Sequence, residues 1–415
     1  MKKPLLLIII VCFYSLGNGQ DRSDCLHPDR SGLMDTIGSL PILRPDSNSI
    51  PCLSDSSLSE KPGTDSIGNP RDSITESRPE SPEPFRLIIR AVGDVMPGSD
   101  FMDDLPRADF SHLRPFLTHN NPDMVMGNLE GAMTTHPECR KKPYKGRIYA
   151  FRIPPGYAAE LKTAGFTLFS LANNHALDFG NPGLIETHDR LNRQGILTIG
   201  EKNQIESVTI RGKRIALIGI SWLSYHTSFY YQPEKALDLI RQADSTADIV
   251  ILSIHGGAEG ESVMEIPDSN EMMLTEPRGN LYRFCHSAVE AGADLILGHG
   301  PHVVRGMKRI QDRLVAFSLG NFLTHGTFNT TGQNRNTLIL EAELDSVGRF
   351  MRGQIIPMQQ GTYGTIKGVP YPDSSGTTIG LIRELTAGIP SSGLQINDEG
   401  SVLPDPRPQD SIILR

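Results

Sequence analysis

An excess of positive charge is missing from this sequence. Its 40 Lys and Arg residues stand against 48 Asp and Glu in 415 residues, a formal charge of −8. Nucleic-acid and membrane-surface binding both need a concentrated positive field, so neither is expected, and any anion site would have to be local. Cysteine is scarce as well. Cys12, Cys25, Cys52, Cys139 and Cys285 lack the spacing of metal fingers and do not form a disulfide framework, so free or incidental thiols are expected. No internal repeat is present. The N-terminal apolar run from Leu5 to Leu16 is shorter than the roughly 20 residues that span a bilayer. A hydrophobic content of 38% does suffice for the packed core of one large domain or two ordinary ones.

The chain divides by composition. Two lysines, the apolar run and the small residues Gly17 and Gly19 have the layout of a secretory signal peptide over 1–19. This predicts an exported protein, periplasmic or at the cell surface, with an uncleaved N-terminal anchor as the alternative. Residues 20–84 are rich in Ser, Pro, Asp and Glu and hold no Phe, Trp or Tyr. Such a segment buries too little apolar surface to offset its ordering entropy and reads as a disordered tether. From "FRLIIRAVGDV" onward, strand patterns near 87–92, 123–126, 166–171, 215–220, 248–254, 293–297 and 314–318 alternate with helical patterns at 156–164, 182–194, 234–243 and 279–291. The expectation is an α/β domain over 85–345 with helices packed on mixed sheets, followed by a peripheral C-terminal extension over 346–415 with closing strands and a short helix near 377–387. "SVTIRGKRIALIGI" reads as a hairpin turning at Gly212.

Nearly every strand pattern ends in polar residues. Asp94 closes "LIIRAVGD", Asn128 and Glu130 close "DMVMGNLE", and Asn174 and His175 close "FTLFSLANNH". His255 and Glu259 follow in "IVILSIHGGAE", His299 and His302 in "ADLILGHGPH", and Asn321 in "LVAFSLGN". One such residue is ordinarily a turn-former. Taken together, carboxyl ends of strands meet along one sheet edge, where α/β sheets form their ligand sites. Asp, Glu, Asn and His without cysteine suit a divalent metal such as Mn, Fe or Zn, as one ion or as two about 3.5–4 Å apart.

These stretches, in order "GDVM", "GNLEG", "LANNHALDFG", "HGGAEG", "GHGPHV" and "SLGNF", resemble the CapA, or poly-gamma-glutamate capsule biosynthesis, family of the calcineurin-like metallophosphoesterase superfamily. The resemblance implies a four-layer α/β sandwich of two mixed sheets flanked by helices, with a metal site at one edge. It further implies Asp94, Asn174, His255, His299 and His302 as ligands and His175 as the catalytic histidine that acts as general acid or stabilises developing charge. Three departures stand out: Met96 where a phosphoesterase has a histidine ligand, Asn128 where it has the bridging aspartate with Glu130 two residues on, and His-x-x-His spacing at His299 and His302.

The basic run from Arg140 to Arg147 would draw a polyanion, and Arg152, Glu259 and Asn321 are candidate substrate contacts. The expected function is biosynthesis, transfer or trimming of an anionic polymer such as poly-gamma-glutamate, by a metal-dependent hydrolase of amide or ester bonds, with a membrane-bound polymer synthase as a candidate partner. The alternatives are a metallophosphoesterase acting on a small exported substrate and a non-catalytic polymer-binding scaffold.

Overall fold

A computed structural model describes residues 84–407 except 102–106, 143–147, 327 and 364–365. The expected signal peptide and tether, with Cys12, Cys25 and Cys52, thus lie outside the described residues but for Pro84. Along the chain run β1 (Leu87–Met96), β2 (Met124–Leu129), β3 (Ala132–Met133), β4 (Arg152–Ile153), β5 (Leu168–Ser170), β6 (Leu197–Ile199) and β7 (Glu206–Ile210). Next come β8 (Lys213–Ser221), β9 (Ile249–His255), β10 (Glu271–Met273), β11 (Glu276–Gly279), β12 (Leu295–His299), β13 (Met307–Ile310) and β14 (Arg313–Ala316). The last are β15 (Asn321–Thr324), β16 (Asn336–Leu344), β17 (Phe350–Tyr363), β18 (Ile366–Pro372), β19 (Leu394–Ile396) and β20 (Ser401–Pro404). Helices are α1 (Arg114–Thr118), α2 (Tyr157–Ala164), α3 (Gly180–Arg193), α4 (Pro233–Asp244), α5 (Leu281–Glu290) and α6 (Thr377–Ala387).

Two mixed sheets result. The larger runs β19-β20-β17-β16-β1-β2-β5-β6, with β15 beside β1 and β18 beside β17; the smaller runs β13-β14-β12-β9-β8-β7. Within the larger sheet β1, β2, β5 and β6 are parallel, as are β8, β9, β12 and β14 in the smaller. The β7–β8 hairpin turns through Arg211 and Gly212, both left-handed at φ 45° and 82°, as a tight hairpin requires.

Alternation along the strands sets the layers. Leu87, Ile89 and Ala91 of β1 share an inner core with Ile215 and Leu217 of β8 and Ile249 and Ile251 of β9. Their neighbours Ala216, Ile218, Val250 and Leu252 face outward onto α4 and α5. On the far side, Val92, Val125 and Phe169 meet Leu117, Leu161 and Leu191 of α1, α2 and α3. Helix, sheet, sheet and helix thus stack as the expected four layers.

The segment after 345 is built into the domain instead of lying at its periphery. β17 pairs along β16 from Leu344↔Phe350 to Asn336↔Gln359, and Ile355, Ile379, Ile382 and Val402 join the inner core. Pro357 and the glycines of "MRGQIIPMQQG" break the two-residue alternation that would have announced a long strand. Cys139 and Cys285 are free thiols. No helix among the described residues is long and apolar enough to cross a membrane.

Candidate metal centre

Strand register assembles the site. Asp94 on β1 lies opposite Asn128 on β2 and opposite Asn321 at the start of β15. His255, the last residue of β9, lies opposite His299, the last of β12. Close approach of β1 to the β15 turn demands glycine at position 93, where a Cβ would stand 1.9 Å from the Gly320 carbonyl oxygen. His302 takes a left-handed backbone, φ 60°, in the turn after β12. Its Nδ1 lies 2.9 Å from Asn321 Oδ1 and 3.1 Å from Asp94 Oδ2, and its carbonyl accepts from Asn334 Nδ2 at 3.0 Å, which together hold that conformation.

Asp94, Glu130 and His302, all buried, can each place a ligand atom within 4.8 Å of the others'. His302 Nε2 stands 3.6 Å from Glu130 Oε1. Both Glu130 oxygens, His255 Nε2, both nitrogens of His299 and Asn321 Nδ2 are buried with no hydrogen-bond partner. Orphaned polar atoms are costly, and a cluster of them at one point is what an ion-binding site looks like without its ion. Two carboxylates and an imidazole fit a divalent metal.

The electrostatics follow from burial and proximity. Burial would raise Asp94, but His299 and His302 beside it outweigh that and hold its carboxyl well below the usual range. Burial raises Glu130 to about 8, opposed by His302 and reinforced by Asp94. Burial would lower His302, yet Glu130 and the bond to Asp94 push it up to about 10. Burial holds His255 well below its ordinary value.

His175 sits at the rim of this cluster, its Nε2 4.0 Å from Glu130 Oε1. Its Nδ1 meets Asp178 Oδ2 at 2.8 Å, and Lys141 Nζ lies 3.1 Å from Asp178 Oδ1 and 3.3 Å from His175 Nδ1. Phe151 packs on the His175 ring at 4.3 Å and belongs to an apolar cluster with Met96 and Phe328. Thus the position of the absent histidine ligand is occupied by an apolar wall.

The other expected residues divide. Asn174 is buried next to His175 at this edge, and Asn128 contacts Asp94 Oδ1 at 2.9 Å and His255 Nδ1 at 3.3 Å. Glu259 reaches His302 Nε2 at 3.9 Å but gives its other oxygen to Arg278 at 3.0 Å. Asn321 orients His302. Arg152 is drawn elsewhere: it pairs with Asp100 at 2.6 Å and lies over Phe101 and Phe179, with no contact to the cluster among the described residues. Of the basic run, Arg140 pairs with exposed Glu138 and Lys141 is inside, while 143–147 lie outside the described residues.

Asp178, Asn173 and Arg278 were not foreseen. Asp178 stands three residues after His175, a spacing that can place it on the same side of one turn. Nothing local marks Arg278, which lies 3.9 Å over Trp222, itself stacked on His255 at 5.4 Å.

Among known proteins, the family model for the bacterial capsule synthesis protein PGA_cap matches residues 88–326. The capsule biosynthesis protein CapA of Bacillus anthracis is 26% identical over 261 residues, covering 57% of this chain and 60% of that protein. The PGA biosynthesis protein CapA of Bacillus subtilis (strain 168) is 26% identical over 288 residues, covering 64% and 70%. The chain therefore spans less than two thirds of the Bacillus anthracis relative. A hypothetical protein from Thermus thermophilus superposes with a TM-score of 0.40 at 17% identity, covering 66% of this chain and 99% of that one. A Mycoplasma pneumoniae phosphatase gives 0.40 at 13%, covering 69% and 95%.

Proposed function

The chain belongs to the bacterial capsule synthesis protein PGA_cap family, and from that premise we propose that it transfers or trims an anionic polymer of the poly-gamma-glutamate type. The bond is an amide or ester, and the centre is a divalent-metal site at the sheet edge. The carrying observation is the buried trio Asp94, Glu130 and His302 amid orphaned polar atoms. A divalent ion held there supplies Lewis acidity toward a carbonyl oxygen.

The chain's own residues handle the proton and the polymer. Asp178 holds His175 by Nδ1, which leaves Nε2 turned to the centre to give a proton to the leaving atom or take one from water. Phe151, Met96 and Phe328 keep bulk water from that face. Lys141 balances the buried Asp178 charge, and the basic run continuing from it supports an anionic substrate. The N-terminal sequence "MKKPLLLIII" supports work outside the cytoplasm.

The test is to load the purified chain with Mn, Fe or Zn, measure retained metal and follow glutamate oligomers released from poly-gamma-glutamate. Retained metal and release that is lost in His175→Ala are expected. Failure to retain any of the three metals overturns the reading. Steady p-nitrophenyl phosphate turnover without polymer release would transfer it to a phosphoesterase.

A further inference from the structure

We propose that the centre holds a single divalent ion, on Asp94, Glu130 and His302, because Asn128 turns its amide N–H2, and not its oxygen, toward the neighbouring position. This rests on the metal-centre reading above and assigns its nuclearity.

Backbone atoms decide the amide orientation. The His175 backbone N–H can only donate, and it donates to Asn173 Oδ1 at 3.0 Å. The Leu129 carbonyl can only accept, and it accepts from Asn173 Nδ2 at 2.8 Å. With Asn173 fixed at both ends, its Nδ2 also donates to Asn128 Oδ1 at 2.9 Å. Asn128 must therefore point Nδ2 the other way, toward Asp94 Oδ1 at 2.9 Å and His255 Nδ1 at 3.3 Å. Flipping it would set N–H2 against N–H2 at Asn173 and carbonyl against carboxylate at Asp94.

Two consequences follow. Position 128 offers no oxygen to bridge two ions, and one Asp94 oxygen is already taken by its N–H. Charge points the same way. Asp94 and Glu130 together match one dication, whereas the adjacent position has only the neutral donors His255, His299 and Asn174. The Arg278 cation stands close behind that position, stacked on Trp222, which in turn stacks on His255, and it already engages the nearby carboxylates Glu259 and Glu276 at 3.0 Å each. A second buried dication there would lack compensating charge. In its place the Asn128 N–H2 ties Asp94 to His255.

The experiment is metal analysis with electron paramagnetic resonance on the Mn-loaded full chain, wild type and Asn128→Asp. The wild type is expected to hold one Mn per chain with the hyperfine pattern of an isolated ion. Asn128→Asp, checked for folding by its melt, is expected to take a second ion with an exchange-coupled spectrum. A wild type holding two coupled ions overturns the proposal and leaves the metal-centre reading standing. A folded Asn128→Asp chain that still holds one ion overturns the role given to Asn128. No retained Mn, Fe or Zn in the wild type overturns the underlying reading. If the variant fails to fold, the wild-type spectrum and stoichiometry still decide.

Discussion

Metal uptake by this centre is predicted to expel protons, and their number can be worked from the site. Glu130 is raised to about 8, chiefly by burial. His302 reaches about 10 because the Glu130 charge and the Asp94 bond overcome the opposing effect of burial. At pH 7 the coupled Glu130–His302 pair holds a proton that a dication must displace. At about 1.4 kcal/mol per pH unit, releasing it at pH 7 from a site raised to about 10 costs about 4 kcal/mol. Apparent Kd should therefore fall about tenfold per unit as pH rises toward 10. Calorimetric titration with Mn in buffers of different ionisation enthalpy counts the protons directly. About one is expected at pH 7 for the wild type and fewer for Glu130→Gln, since the amide has no charge to hold the His302 proton. Uptake without proton release, or a Kd flat between pH 6 and 8, would refute the reasoning. The stability of the metal-free chain carries the same sign. Both groups hold the proton more tightly when folded, so their contribution is complete below their ordinary values of 4.5 and 6.5 and is lost as pH rises through 8 and 10. Metal-free melts should fall from pH 5 to 9 more steeply than metal-loaded ones.

Other perturbations separate the parts of the site. His175→Ala should lower turnover of the polymer about 10²–10⁴-fold with metal content unchanged, and Asp178→Asn should reproduce part of that loss by freeing the ring; lost metal in either would place these residues in the ion shell. Arg305 holds Glu271 through two bonds of 3.0 and 2.6 Å, both side chains buried, bracing the turn that bears Glu259. Arg305→Ala should cost about 3–5 kcal/mol in urea unfolding; less than about 1 kcal/mol would mean that the pair contributes little. A Cβ at Gly298 would lie 2.1 Å from the Phe317 carbonyl oxygen, so Gly298→Ala should cost at least about 2 kcal/mol and weaken metal binding through displaced His299. A neutral effect on both would contradict the close packing of β12 on the chain after β14.

What the sequence disclosed was position along strands. Near-continuous apolar runs in Ile215 to Ile220 and in Ile249 to Ile254 marked strands buried on both faces, and the polar residues at their ends marked the edge where a site could form. Pairing between distant segments left no such trace. The contact of Arg90 with Glu341 at 2.6 Å and the burial of Arg278 join stretches whose local patterns say nothing of each other. Arg152 looked like a free clamp because Asp100, its partner, lies 52 residues away. Amide orientation was also illegible: Asn128 matched a ligand by position, and only the hydrogen bonds through Asn173 show which end faces inward. Closing strands were expected after 345, but the length of β17 and its full pairing with β16 were hidden by proline and glycine, which disturb alternation without preventing pairing.

The central claim is that Asp94, Glu130 and His302 form the metal centre. Anomalous diffraction from crystals soaked in Mn tests it most directly. The account predicts an anomalous peak within about 2–2.5 Å of a carboxylate oxygen of Asp94, a carboxylate oxygen of Glu130 and a ring nitrogen of His302. A peak bound by His255 and His299 without Glu130, or no peak at this edge after soaking, would contradict it.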